Sequence, residues 1–164
     1  MKKYIRLTAL LLVLLTLCGC GGLDISDYGD DQILITGLTE EDFYITPNQL
    51  LEMECISATA QGKTAKAGTV KAYGPTMETF LASYGKSLDE FYSIKLIASD
   101  DYKVTLGRAT WEKYDIILSV AKGNKPLDEY QQPLRIVIPG GDSGNWARMV
   151  VKIEFTYKDS GVAA

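Results

Sequence analysis

The chemistry open to this chain is set by one cysteine, one glycine-rich loop and a missing residue type. Cys55 lies in the run Glu54-Cys55-Ile56 and has no intrachain partner once the two N-terminal cysteines are accounted for, so it is a free thiol. As a thiolate it would be a soft metal ligand, which requires electropositive surroundings; as a thiol it is a small hydrophobe on a core-facing strand. The loop Pro139-Gly140-Gly141-Asp142-Ser143-Gly144-Asn145 offers backbone N–H groups that can nest a phosphate, with Arg148 as charged partner, or else is a plain connection whose glycines permit positive φ. Glu52 and Glu54 would sit ~7 Å apart on one strand face, as an acid/base pair or as a solvated face. Trp111 and Trp146 line a cleft or pack in the core. The chain contains no histidine, which excludes Ser-His-Asp and Cys-His catalysis, haem ligation by histidine and the common zinc sites. Any catalysis therefore rests on carboxylates, Tyr, Arg, Lys, the thiol or an imported cofactor.

The N-terminus explains the other cysteines. Lys2, Lys3 and Arg6 precede an unbroken apolar run from Leu7 to Leu17, too short to span a bilayer comfortably, and small residues follow. Leu17-Cys18-Gly19-Cys20 resembles the bacterial lipobox, which implies cleavage before Cys20 and lipidation, palmitate included, at that residue. Residues 1–19 are thus expected to be a lipoprotein signal peptide and residues 20–31 a flexible, dispensable tether, since Asp24, Asp27, Asp30 and Asp31 follow no calcium-loop spacing. Residues 32–158 form one domain and residues 159–164 a polar tail. Cleavage removes three of the 17 basic side chains and none of the 21 acidic ones, leaving a net charge of −7. Such a domain gains nothing from phosphate counterion release, so nucleic acid is excluded as a partner. The expected partner is the membrane, through the N-terminal lipid, in an extracytoplasmic location; oligomeric state is not legible.

The elements that must position these residues are short. Strands are expected over 32–36 and 43–45, then a brief helix from Pro47 to Leu51 with Thr46 as N-cap. A strand over 52–59 places Leu51, Met53, Cys55 and Ser57 on one face. After a polar loop and an extended stretch, Gly74-Pro75 opens a helix with Met77, Phe80, Leu81 and Tyr84 as its apolar stripe and Gly85 at C′. Ser87 and Glu90 form a capping box. Further strands are expected over 92–98, 102–106, 115–120, 134–138 and 148–157, with a short helix near Trp111. The sum is an α+β domain, sheet-dominated, with a few short helices.

The order of these segments resembles the molybdopterin-binding domain of the sulfite oxidase family from about Ile33 to Phe155. Ile35-Thr36-Gly37-Leu38 with Phe43-Tyr44-Ile45-Thr46 and Leu50-Leu51 looks like the family's opening strand, turn and first helix. Glu54-Cys55-Ile56 looks like the strand end that presents the cysteine ligand of molybdenum, and Ser99-Asp100-Asp101-Tyr102 is similar to a Ser-x-Asp-Gly-Tyr turn. Lys125-Pro126-Leu127, Pro133 to Gly140 and Arg148 to Ile153 follow the family's C-terminal signature. The resemblance implies a molybdopterin cofactor with Cys55 on the metal and Asp101, Tyr102, Gly141, Ser143, Asn145 and Arg148 around the cofactor. It also implies two-electron oxygen-atom transfer.

Several residues depart from the family pattern. Ser57-Ala58 stands where sulfite oxidases have Gly-Asn, Ala67-Gly68-Thr69 replaces a Trp-x-Gly element, and Asp101 replaces a glycine. Lys2-Lys3 with a lone Arg6 makes a Sec-type signal, whose cargo crosses unfolded and arrives without a cofactor. The alternative is therefore a cofactor-free descendant of the fold that binds a ligand or protein at the cell surface. Whichever holds, Cys20→Ser is expected to leave unprocessed precursor or release the protein from the membrane fraction. Normal lipid labelling of that variant would show that Cys20 is not the acceptor.

Overall fold

The computed structural model describes residues 23–63 and 68–158. The signal peptide, Cys20 and residues 159–164 lie outside the described residues. Five strands form one sheet, in the order β2-β1-β11-β5-β6: β1 is Ile33–Thr36, β2 Phe43–Ile45, β5 Phe91–Ala98, β6 Lys103–Gly107 and β11 Val150–Tyr157. A second sheet runs β3-β4-β8-β9, from Cys55–Gln61, Thr69–Pro75, Ala121–Lys122 and Lys125–Pro126. Between them in sequence, β7 (Ile117–Ser119) pairs antiparallel with β10 (Arg135–Val137). Among the described residues three short α-helices complete the fold: α1 Pro47–Leu51, α2 Met77–Ser83 and α3 Arg108–Trp111. This is the expected sheet-dominated α+β domain, and one apolar cluster draws on both sheets and α2.

Local chemistry accounts for the element ends. Thr46 accepts a hydrogen bond from the Gln49 N–H while Gln49 accepts one from the Thr46 N–H, closing a capping box ahead of Pro47. Helix α2 ends in a Schellman arrangement: the Lys86 N–H bonds the Leu81 carbonyl, the Gly85 N–H bonds the Ala82 carbonyl, and Gly85 takes φ +67°. Gly74 is required for packing, because a Cβ there would lie 2.0 Å from the Leu118 carbonyl oxygen where β4 crosses β7.

Two expectations fail here. The strand after α1 begins at Cys55, and its core-facing phase is set by Ile56, Ala58 and Ala60. Leu51 and Met53 belong to the helix end and the following turn, so they do not set the alternation, and Cys55 lies on the opposite face from the core. For the same reason Glu52 caps α1 and does not share a strand face with Glu54.

The described part of the expected tether is also docked. Ile25 and Tyr28 are buried with Leu127 in a small apolar cluster that Leu23 and Leu51 join. The Tyr28 hydroxyl donates to the Val120 carbonyl at 2.7 Å and accepts from the Leu127 N–H at 2.8 Å, stitching both ends of the β8–β9 hairpin. Gly29 completes the attachment by accepting from the Asn48 N–H at 3.0 Å. Short acidic composition hid this, because the apolar side chains that dock are too few to make a period. Tyr28→Phe, which strands a buried carbonyl and a buried N–H, is expected to lose ~1–3 kcal/mol by urea denaturation. A chain beginning at Gln32 should lose at least as much. An unchanged midpoint in both would show that the segment contributes nothing.

Candidate functional site

An open groove of about 1170 Å³ runs between the β4 end, the β8–β9 hairpin and the loops around β10 and β11. Its wall carries five cations, Lys71, Lys122, Lys125, Arg135 and Arg148, against three carboxylates, Asp100, Asp128 and Asp142. That excess is opposite in sign to the whole chain, whose net charge is −4. The carboxylates are already engaged. Asp128 forms an ion pair with Lys122 and accepts from the Tyr130 hydroxyl, and the Lys122 contact holds its carboxyl below the usual range. Asp100 accepts from the Tyr102 N–H at 3.1 Å, and Asp142 from the Gly144 N–H at 2.9 Å.

Arg135 and Arg148 are not compensated in this way. Arg135 sits on β10, whose three residues are all buried, and 9% of its surface reaches solvent. Among the described residues its side chain makes no hydrogen bond or ion pair, and its buried Nε has no partner. Burial, then repulsion from Arg148, pulls its guanidinium below the usual arginine range against the weaker attraction of Tyr130 and Asp128. Gln131, also on the groove wall and 5% exposed, has a buried Oε1 with no donor among the described residues. The chain from Ala147 to Val150 is laced against this strip: the Ile136 N–H bonds the Ala147 carbonyl, the Met149 N–H the Gln131 carbonyl, and the Val150 N–H the Leu134 carbonyl. Met149 takes φ +52° and a bulge follows at the start of β11, a strained entry that leaves Arg148 on the groove wall over the Tyr130 ring at 5.6 Å.

The structure gathers some of the expected residues and disperses others. Tyr102, Ser143 and Arg148 line the groove, with the Tyr102 hydroxyl donating to the Gly144 carbonyl. Asp101 does not; it is the φ +64° residue of the turn, a conformation that asparagine and aspartate tolerate, and its neighbour Asp100 faces the groove. Gly141 and Asn145 also fall outside the lining, and their N–H groups are spent on the Ile138 and Asp142 carbonyls. The loop thus folds around its own carboxylate, Asp142, and offers no nest at those two positions. Trp146 forms part of the wall with its indole N–H on the Ile138 carbonyl, whereas Trp111 is a core residue.

Cys55 stands apart. Strand β3 runs from Cys55 to Gln61, and its pairing with β4 sets Gln61 against Thr69 and Cys55 against Pro75. Thr69, Val70 and Lys71 are the groove residues of β4 and pair with Gln61, Ala60 and Thr59, so Cys55 lies four residues, about 13 Å at ~3.3 Å per residue, along β3 from the nearest of these pairings. Its sulfur is 3.7 Å from the Leu50 carbonyl oxygen, a weak hydrogen bond, and burial pushes the thiol pKa up. No cluster of three or more Cys, Asp or Glu among the described residues is placed to hold a metal. The groove therefore fits the anionic part of a phosphate-bearing cofactor and supplies no sulfur for its metal. Sequence reasoning missed Arg135, Gln131, Lys122 and Asp128; an arginine interrupting the apolar run Leu134 to Ile138 was the available signal.

Comparison with solved structures finds the same fold in the sulfane dehydrogenase SoxCD from Paracoccus pantotrophus, at 17% identity and a TM-score of 0.64. The match covers 78% of this chain and 38% of that one. The fold is thus sulfite oxidase-like, and this chain is similar to little more than a third of the larger protein. No family profile and no curated protein matches the sequence. No helix among the described residues is long and apolar enough to cross a membrane.

A thiol with a raised pKa reacts slowly, since the thiolate is the nucleophile. Iodoacetamide labelling of Cys55, followed by mass spectrometry, should be slow at neutral pH and still accelerating above the pH, ~8.5, at which a free cysteine is half ionised. A rate that levels off near neutrality would mark an activated thiolate. The same shift bears on stability with a definite sign: the protonated form is favoured in the fold, so this contribution is full below the unfolded pKa and is lost as pH rises through the folded one.

Proposed function

We propose that this chain is a membrane-tethered extracytoplasmic lipoprotein whose sulfite oxidase-like domain serves as a cofactor-free, anion-binding module. The observation that carries the reading is the separation of the thiol from the cations. Cys55 is at the end of β3 away from the groove residues of β4, with its pKa raised by burial and its sulfur on the Leu50 carbonyl, while Arg135 and Arg148 line the groove without an ion pair among the described residues. Molybdenum coordination of the kind the family resemblance implies needs a thiolate within reach of the bound cofactor, and the groove lining supplies only nitrogen and oxygen donors. The Sec-type signal and the lipobox support export as an unfolded chain and attachment through Cys20.

In this reading the two arginines attract and orient a negatively charged group, and Tyr102 and Tyr130, 46% and 57% exposed, form a rim for its uncharged part. The second reading, a molybdopterin oxidoreductase, is favoured by the likeness to a sulfane dehydrogenase. A bound cofactor would supply two-electron oxygen-atom transfer, and Arg135 and Arg148 would hold its phosphate.

The two readings separate on metal content. Protein isolated from its native membrane is expected to hold molybdenum far below stoichiometric. Cys55→Ser should change stability by only ~1 kcal/mol, the scale of a lost weak hydrogen bond and a partly buried hydroxyl. Stoichiometric molybdenum that disappears in Cys55→Ser would establish the oxidoreductase.

A further inference from the structure

We infer that the outer edge of β3 is a dimer interface: two copies of this chain pair antiparallel along Cys55–Gln61 with the twofold axis at Ala58, joining their four-stranded sheets into one. The inference goes beyond the anion-binding reading and does not depend on it. β3 is the first strand of its sheet, with β4 beside it, and the direction of its backbone groups follows from β4. The Tyr73 carbonyl accepts from the Val120 N–H and the Tyr73 N–H bonds the Ser119 hydroxyl, so Tyr73 turns both groups away from its β3 neighbour, Ser57. In an antiparallel ladder bonded and non-bonded pairs alternate. Ile56, Ala58 and Ala60 therefore bond β4, and the N–H and C=O groups of Cys55, Ser57, Thr59 and Gln61 point out of the sheet edge. The Gly62 N–H on the Gly68 carbonyl continues the same phase. No backbone or side-chain group among the described residues hydrogen-bonds the outward set.

An edge of this kind is a template for another strand unless it is blunted, and the other edges of the two larger sheets are blunted. β2 has three residues and follows Glu40-Glu41-Asp42, β6 opens with Lys103, and β9 is Lys125–Pro126, whose proline has no N–H to offer. β3 has seven residues, without a charge or a proline. Its open side thus carries the features of a strand meant to be paired.

Self-complementarity makes the occupant a second copy. With Ala58 opposite its own counterpart, Ser57 meets Thr59 and Cys55 meets Gln61, so every outward-bonding residue faces another. Ala58 itself falls on a non-hydrogen-bonded site, where Cα atoms approach to ~4.5 Å and a methyl group fits. Ser57 and Thr59 are exposed on one face, a cross-strand pair whose hydroxyls bond each other. Just beyond the strand ends, Glu54 comes opposite Gly62 and beside Lys63 of the second copy. Both charges are exposed, and neither is in an ion pair among the described residues. Twofold symmetry makes that contact at both ends. A chain of net charge −4 repels its own copies over most of its surface, whereas β3 is uncharged and bracketed by opposite charges in the order that antiparallel pairing requires.

The full chain is tested in its membrane by oxidative cross-linking in a Cys55→Ser background, read on non-reducing gels. Ala58→Cys should give a disulfide-linked dimer, because the two copies of that position lie within disulfide reach across the axis. Gln61→Cys is the more exposed site and should give none, since its two copies lie about 20 Å apart at ~3.3 Å per residue. Restoring Cys55 should return a link to Gln61→Cys, because those positions are opposite each other. In detergent, light scattering corrected for bound detergent should find the dimer. Thr59→Pro should raise its dissociation constant at least about tenfold while the monomer stays folded, as the N–H it removes points away from β4. A second handle that leaves the strand untouched is charge exchange: Glu54→Lys should weaken the dimer and the added Lys63→Glu should restore it. The inference is overturned if Ala58→Cys forms no linked dimer, if Gln61→Cys links as readily as Ala58→Cys without Cys55, or if the dimer is indifferent to both Thr59→Pro and the charge exchange. An Ala58→Cys adduct with a different protein, and none between copies, would assign the edge to another partner and equally overturn it.

Discussion

The fold depends on where its last strand goes. β11 enters the middle of the five-stranded sheet, parallel to β1 through Leu34, Ile35 and Thr36 and antiparallel to β5 over nearly its whole length. Neither flank can complete its hydrogen bonds until the C-terminal segment arrives, so β1 and β5 are edges in any partial structure and paired strands in the finished one. The apolar residues of β11, Val150, Ile153 and Phe155, meet Ile94, Leu96, Ile33 and Ile35 in the same core. Gly37 shows how close the fit is: it turns away from β1 at φ +70°, and a Cβ there would lie 2.2 Å from the Phe155 carbonyl oxygen.

The same strand couples the core to the groove. Its N-terminal end cannot run straight into the loop, because the Met149 carbonyl accepts from the Ser99 N–H while the Met149 N–H bonds Gln131. That double attachment accounts for the positive φ at Met149, whose strain, on the order of 1 kcal/mol, is held by the surrounding ladder. Arg148 is the residue before this bend. Its place on the groove wall is thus a consequence of strand pairing some distance away, and Arg135 is fixed by the neighbouring strip. Both side chains line the groove, and repulsion from Arg148 adds to burial in lowering the pKa of Arg135.

Much of the architecture was legible because its signals are local. The Thr46-Pro47 start, the Gly85 stop and the Ser87/Glu90 box are chemical rules that act within four or five residues, and the structure realises all three. Alternation located most strands for the same reason. What failed was non-local. The phase of β3 depends on where α1 releases the chain, and reading the alternation through the helix end put Cys55 on the wrong face. The glycine loop carried the composition of a phosphate nest, but Asp142 satisfies it from within. Tyr102, Ser143 and Arg148 were found through a family-like signature, whereas Arg135 and Gln131 become visible only when burial and missing partners are known.

The docked N-terminal segment changes what a lipid anchor would do. A free tether of twelve residues would let the domain tumble at a distance from the bilayer, presenting any face to it. With Ile25 and Tyr28 fixed against Leu127, the slack between Cys20 and the domain shrinks to the few residues before Leu23, which span at most ~11 Å. Lipidation at Cys20 would then hold the β8–β9 side near the headgroups, and the cations of that side would face a surface whose charge is opposite to theirs and like that of the chain as a whole. The docking of Tyr28 fixes the N-terminal segment to the hairpin that carries Lys122 and Lys125, so with a lipid at Cys20 one pair of hydrogen bonds would set which side of the domain lies nearest the bilayer.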